Sequence, residues 1–287
     1  MTDAPSMNEL LKDAPTNWGK WGPDDEVGAL NYLGPEEVLA AVRTQILDES
    51  NWYDGAGGPE YPGGLHYADD KLDAFLQGST QYDALGHLWY DGKIWNGFDA
   101  RTTIGGLEKA SVQPIAERGI VGRAVLIDMA RFRGKDTLDK AETFTHEDLV
   151  ACAEAQGTPI QKRDILVIRT NFLQQFHEQG DAFYEGFNEP GLVYSPELVQ
   201  WFQDMEIPNL VTDTIANEVT IDPNNGVALV LHNALMRNLG VTFTEITDLE
   251  ELAADCAEDG RYAFLYVAAP LKVAKGSGSP VNPVVIK

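Results

Sequence analysis

The chain has 287 residues, 44% of them hydrophobic, and a formal charge of -24. That length and apolar share support a sizeable buried core, in one large domain or two small ones. The acid excess excludes general recognition of nucleic acid or of an anionic membrane surface, which needs clustered lysine and arginine; it reads as solubility, with adaptation to high salt as the competing explanation. Cys152 and Cys256 are the only cysteines and form no CxxC pair, so free thiols in a reducing compartment are expected. Met1 to Pro15 is polar and acidic and no later run is long enough to span a bilayer, which makes a cytoplasmic protein the expectation.

No repeat recurs along the chain. Gly55 to Gly64 is rich in glycine and proline and reads as a loop, either a pocket cover or a plain connection. Between Leu76 and His87 the sequence places Gln77, Gln81, Asp83 and His87 at even steps, so in an extended segment all four leave one face. Oxygen donors in such a row hold a hard or borderline divalent cation, and the imidazole moves a proton. Tyr82, Trp89, Tyr90, Trp95 and Phe98 follow closely; they line a pocket for a flat, apolar substrate or pack the core, and Tyr82, Trp89 and Trp95 are the candidate substrate contacts.

Ile120 to Met129, Asp164 to Thr170, Asn209 to Thr212 and Tyr262 to Ala269 are β-rich apolar runs predicted as buried strands. Thr145 with Asp148 predicts a capped helix to about Gln156, and Ser195-Pro196-Glu197 starts another. After Asn217-Glu218, a third candidate for completing the site although a solvated carboxylate is the default there, Gly226 to Asn238 reads as a helix stopped by Gly240. It carries His232 inside an apolar run, where a polar group needs a partner. Val241 to Thr244 predicts a short strand ending at Glu245, and Thr247 to Glu250 predicts a capping box opening the next helix. Gly276 to Pro280 is a flexible tail or a turn before a final strand within Val281 to Ile286. The pattern is mixed α/β with no dividing linker, so residues 1-287 are expected to form one domain.

In register, Gln77-Gly-Ser-Thr80-Gln81-Tyr-Asp83-Ala-Leu85-Gly-His87 resembles His-x-Gly-Thr-His-x-Asp-x-Pro-x-His, the signature of the cyclase family. This group of metal-dependent hydrolases includes bacterial kynurenine formamidase and isatin hydrolase. Asn17 to Gly22, Gly28 to Asn31, Asp91 to Gly97, Arg123 to Arg131, Ala268 to Leu271 and Gly278 to Pro283 support the resemblance, which covers about nine tenths of the chain. It implies a swivelling β/β/α fold, with a mixed β-sheet or flattened barrel surrounded by helices. It also implies a homodimer or higher homo-oligomer, with the Trp18 and Trp21 segment able to exchange between subunits. The family's metal ligands fall on Gln77, Gln81, Asp83, His232 and Glu245, and its catalytic histidine on His87. Glutamine at 77 and 81 replaces two imidazoles by neutral amide oxygens, which favours one divalent cation, Mn²⁺ ahead of Zn²⁺, over a two-zinc site. The implied activity is hydrolysis of a small-molecule amide, cyclic imide, lactam or lactone by metal-activated water, with His87 as proton shuttle. The alternatives are a catalytically silent small-molecule binder on the same fold and a metal-dependent lyase or cyclising enzyme.

Overall fold

A computed structural model describes residues 5–32 and 74–287; the Gly55 to Gly64 loop lies outside them. In chain order the strands are β1 (Gln81–Asp83), β2 (Ile120–Asp128), β3 (Thr143–Phe144), β4 (Ile165–Arg169), β5 (Gly191–Leu192), β6 (Asn209–Thr212), β7 (Thr242–Glu245), β8 (Ala263–Ala268), β9 (Gly278–Pro280) and β10 (Val284–Ile286). Eight of them form one mixed sheet in the order β10-β8-β2-β4-β6-β7-β1-β9, and β3 with β5 forms a small parallel pair. The sheet curls as a half-barrel with helices around it, the mixed α/β arrangement expected from the sequence.

Its centre, β2-β4-β6-β7, is parallel. Strands β4, β6 and β7 are buried at every position, which is why β4 and β6 read as apolar runs rather than alternating ones. The four parallel strands end together on polar residues or run straight into them: Asp128, Arg169, Asp213 and Glu245. Ligand sites of open α/β sheets gather at that C-terminal edge.

Helix His146–Ala155 starts as the sequence predicts, with Thr145 and Asp148 exchanging side-chain bonds to each other's backbone. Helix Pro196–Asp204 is capped by Ser195, whose Oγ accepts from Leu198 N at 3.0 Å. Two expectations fail locally. The Gly226 to Asn238 helix is instead a π-helix over His232–Leu239. Ile221 and Ala228 bridge across a turn in which Asp222 N bonds Val227 O, and Leu229 has positive φ, so helical winding cannot begin earlier. The Thr247 to Glu250 capping box is not formed either: helix Glu250–Asp259 has Leu249 at its cap, and the Glu250 carboxylate accepts two bonds from Arg169. Gly276 to Pro280 is no flexible tail, because Gly278–Pro280 pairs with β1.

The N-terminal segment docks on its own chain. Asn17 N and Nδ2 donate to Asn238 O and Leu239 O, each at 2.8 Å, and Trp18 Nε1 donates to Arg237 O at 2.9 Å. These are carbonyls that the end of the π-helix leaves without intrahelical partners. The segment thereby braces the helix that presents His232.

Candidate active site

The cassette is extended only over β1. Gln81 and Asp83 share a face, but the chain then turns, with His87 N donating to Ala84 O at 2.8 Å. The four-residue row along one face is therefore not made. The turn swings His87 back over the same carboxylate, its Nε2 lying 3.7 Å from Asp83 Oδ2 with the ring 34% exposed. That separation is electrostatic contact rather than a hydrogen bond.

Strand β1 runs antiparallel to β7 with Gln81 opposite Glu245, and the π-helix brings in His232. One ligand atom each from Asp83, His232 and Glu245 lies within 4.8 Å of the others, all three residues buried. Gln81 Nε2 donates to Glu245 Oε2 at 2.7 Å and Asn217 Nδ2 donates to Glu245 Oε1 at 3.0 Å. Three buried oxygens of these residues have no hydrogen-bond partner: Gln81 Oε1, Asp83 Oδ1 and Asn217 Oδ1. Buried acceptors are normally paired. Uncompensated oxygens beside two carboxylates and an imidazole are what a divalent cation would satisfy, so this donor set fits one.

Glu218 is buried rather than solvated, which corrects the default reading of that carboxylate. Its Oε1 accepts from His232 N and faces His232 Nδ1, and its Oε2 accepts from Leu231 N, all at 2.7 Å. It thus caps the π-helix, fixes the imidazole and turns Nε2 toward Glu245, 3.2 Å away. Carboxylate support of this kind orients metal-ligating histidines. Gly191 makes it possible, because a Cβ there would lie 2.4 Å from the Glu218 carbonyl carbon.

Burial opposes protonation of His232, yet its hydrogen bonds to Glu218 and Glu245 prevail and push it up to about 10. Burial, reinforced by the Glu245 charge, pushes Asp83 up to about 7, against the pull of His87 and His232. Without a cation the site therefore retains protons in its place.

Gln77 stands apart. Its Nε2 donates to Ser277 Oγ at 3.0 Å, a clasp between the cassette and the approach to β9. Of the proposed substrate contacts, Tyr82 and Trp95 are core residues with no exposed surface. Tyr82 points to the opposite face from Gln81 and Asp83, as alternation along a strand requires, and its hydroxyl meets Tyr266 Oη at 3.1 Å. Trp95 Nε1 donates to Asp25 O. Trp89 is 42% exposed.

A cavity of about 370 Å³ lies beside Gly78 to Thr80 of the cassette and is lined by Phe172, Phe176, Phe183, Tyr184, Glu189 and Asp213, among others. Sequence reading missed Glu189, although a glutamate followed by the apolar Pro190 to Val193 was a usable signal. A larger cleft of about 570 Å³, between the N-terminal helix and Pro196–Asp204, contains none of the site residues.

A family model described as "Putative cyclase" matches residues 17–219. The chain belongs to the cyclase family. A solved structure described as a novel cyclase is 33% identical and superposes with a TM-score of 0.81, the match covering 95% of this chain and 99% of that one. An isatin hydrolase bound to the product analogue thioisatinate is 18% identical, with a TM-score of 0.54 over 88% of this chain and 85% of that one. Isatin hydrolase A from Ralstonia solanacearum is 20% identical, with a TM-score of 0.55 over 82% and 80%. These last two share the fold with this cyclase-family chain. No curated protein matches it. Among the described residues no helix is long and apolar enough to cross a membrane.

Proposed function

We propose that this protein hydrolyses a small-molecule amide, cyclic imide, lactam or lactone, with one divalent cation held by Asp83, Glu245, His232 and Gln81 and with His87 carrying the proton. The observation behind this reading is the buried Asp83-His232-Glu245 triad, whose ligand atoms lie within 4.8 Å of one another, together with the unpaired buried oxygens of Gln81 and Asp83. Three oxygen donors and one nitrogen favour Mn²⁺ over Zn²⁺. A cation held there supplies Lewis acidity toward a carbonyl and toward water.

The chain's own residues do the rest. Glu218 keeps the His232 ring in one orientation, while Gln81 and Asn217 each hold one oxygen of Glu245. His87 stands at the exposed rim of the triad, within reach of Asp83, where it accepts a proton from attacking water and returns it to the departing nitrogen or oxygen. Gln77, engaged with Ser277, is left out of this donor set. The protein is taken to act in the cytoplasm as a homodimer or larger homo-oligomer.

Elemental analysis of the purified protein tests the cation, and a screen of the Mn²⁺-loaded protein over lactones, cyclic imides and N-formyl aromatic amines tests the reaction. Products whose summed mass exceeds the substrate by one water are expected: one ring-opened acid from a lactone or cyclic imide, an amine plus formate from an N-formyl amine. Products whose summed mass equals that of the substrate would indicate isomerisation or elimination, and cation binding without turnover would indicate a silent binder.

A further inference from the structure

The triad does not account for Glu189. It sits beneath the cavity next to the cassette and is 0% exposed. Its Oε1 accepts from Ile215 N at 2.6 Å, whereas Oε2 has no partner. Leaving a buried carboxyl oxygen unpaired is costly, and this one belongs to a residue that lines an open chamber.

The rest of the chamber is aromatic. Phe172 and Phe183 have ring centroids 4.9 Å apart, and Phe183 and Tyr184 5.2 Å apart in edge contact; Phe176 closes on Phe183 at 5.7 Å. Asp213, also on the wall, is saturated, its oxygens accepting from the amides of Thr170 and Asn171 and the Thr170 hydroxyl. At about 370 Å³ the chamber falls within the range of small-molecule sites, about 300–1,000 Å³. Glu189 is thus the one wall group, among those described, combining full burial with an unused polar atom.

We infer that this chamber receives an uncharged ring of the substrate, and that Glu189 is a specificity-determining residue donating a hydrogen bond from Oε2 to an acceptor atom on that ring. The inference rests on the hydrolase reading above for the word substrate, but the binding it describes needs no cation.

Oε1 is occupied by the Ile215 amide, so in the protonated carboxyl the proton lies on Oε2. Burial pushes this carboxyl up to about 8 against the Ile215 and Ala216 amides, and the charges of Glu245 and Asp213 add to the rise, so near neutral pH it is a donor. Asp213 and Asp248 on the same wall disfavour an anionic ring substituent.

Three probes of similar shape separate the terms: acetophenone, a ring with an acceptor; ethylbenzene, the ring alone; and benzoate, a charged ring. Saturation-transfer NMR titrations use the full-length protein near neutral pH, before and after adding Mn²⁺. Acetophenone is expected to bind about tenfold more tightly than ethylbenzene, the scale of one well-placed hydrogen bond, with benzoate weakest and the order unchanged by Mn²⁺. Glu189→Leu should erase the difference between the neutral probes. Glu189→Gln should keep it, since the amide can accept from Ile215 and still donate. Phe176→Ala, at a partly exposed position, should weaken both neutral probes. The inference is overturned if neither neutral probe binds, if both bind equally to the unmodified protein, if folded Glu189→Leu keeps the preference, or if Phe176→Ala changes nothing. Should Glu189→Leu fail to fold, the other two variants decide. Absence of cation binding or turnover would instead overturn the hydrolase reading and leave the probe order standing.

Discussion

Loading the site with a divalent cation should expel protons, and the number expelled should fall as pH rises. Despite its burial, His232 is held up to about 10 by its bonds to Glu218 and Glu245; burial and then the Glu245 charge raise Asp83 to about 7. A cation needs both ligand atoms free of protons. Near pH 6 His232 is fully protonated and Asp83 mostly so, and about two protons leave on loading. Near pH 8.5 Asp83 is already ionised, and only about one leaves, from His232. Both groups lie above their ordinary values, so the cation-free protein is the proton-rich state and apparent affinity must rise with pH. The slope is the proton count: approaching about a hundredfold per pH unit well below 7, and about tenfold per unit between 7 and 10. Calorimetric titration with Mn²⁺ in buffers of different ionisation enthalpy reads the count directly. A count near zero at both pH values, or one that grows with pH, would refute the argument that protons occupy the cation's place.

His87→Ala should lower hydrolysis by about 10²–10⁴-fold while Mn²⁺ affinity changes only a few-fold, because the ring stands 3.7 Å from Asp83; Asp83→Asn should abolish Mn²⁺ binding, and unimpaired turnover in that variant would sink the assignment. Glu218→Ala leaves the amides of Leu231 and His232 and the ring nitrogen Nδ1 without their shared acceptor. It should cost about 3 kcal/mol or more by urea denaturation and about 10–100-fold in Mn²⁺ affinity. In the cation-free protein, burial raises Asp213 to about 6, and burial with neighbouring charges raises Glu189 to about 8. A carboxyl raised on folding contributes stability that is complete below its unfolded value and is lost as pH climbs through its folded one. The melting temperature should therefore fall between about pH 5 and pH 9; a rise would contradict the burial of these two groups.

The sequence made the parallel strands legible because both faces of β4 and β6 are covered, and Thr145 with Asp148 marked a helix start by chemistry confined to four residues. What it hid depends on distant partners. The Thr247 to Glu250 pattern was locally correct, but Arg169, 81 residues away, recruits the Glu250 carboxylate. Even spacing of Gln77, Gln81, Asp83 and His87 suggested one extended face, yet only Gln81–Asp83 finds strand partners on both sides. Asp83, His232 and Glu245 were all legible as ligands by resemblance and do meet. Glu218 was not, because nothing within a few residues shows that it is buried, and for Glu189 the sole local signal was the apolar Pro190 to Val193 that follows it.

The two glutamines that depart from the family signature have separated in role. Gln81 uses one amide for two purposes: Nε2 holds Glu245 Oε2 at 2.7 Å while Oε1 stays unpaired. A neutral imidazole also offers one donor and one acceptor, so glutamine keeps the hydrogen-bonding capacity of the residue that the signature has at this position. What changes is the free atom, from a borderline nitrogen to a harder oxygen, and with it the preferred cation. Gln77 follows a different course. Its Nε2 is bonded to Ser277 and lies where a Cβ on Gly278 would come within 2.6 Å, so this side chain fills the space beside β9 and ties down the cassette. With position 77 spent on that clasp, the single-cation site proposed above draws on Asp83, Glu245, His232 and Gln81.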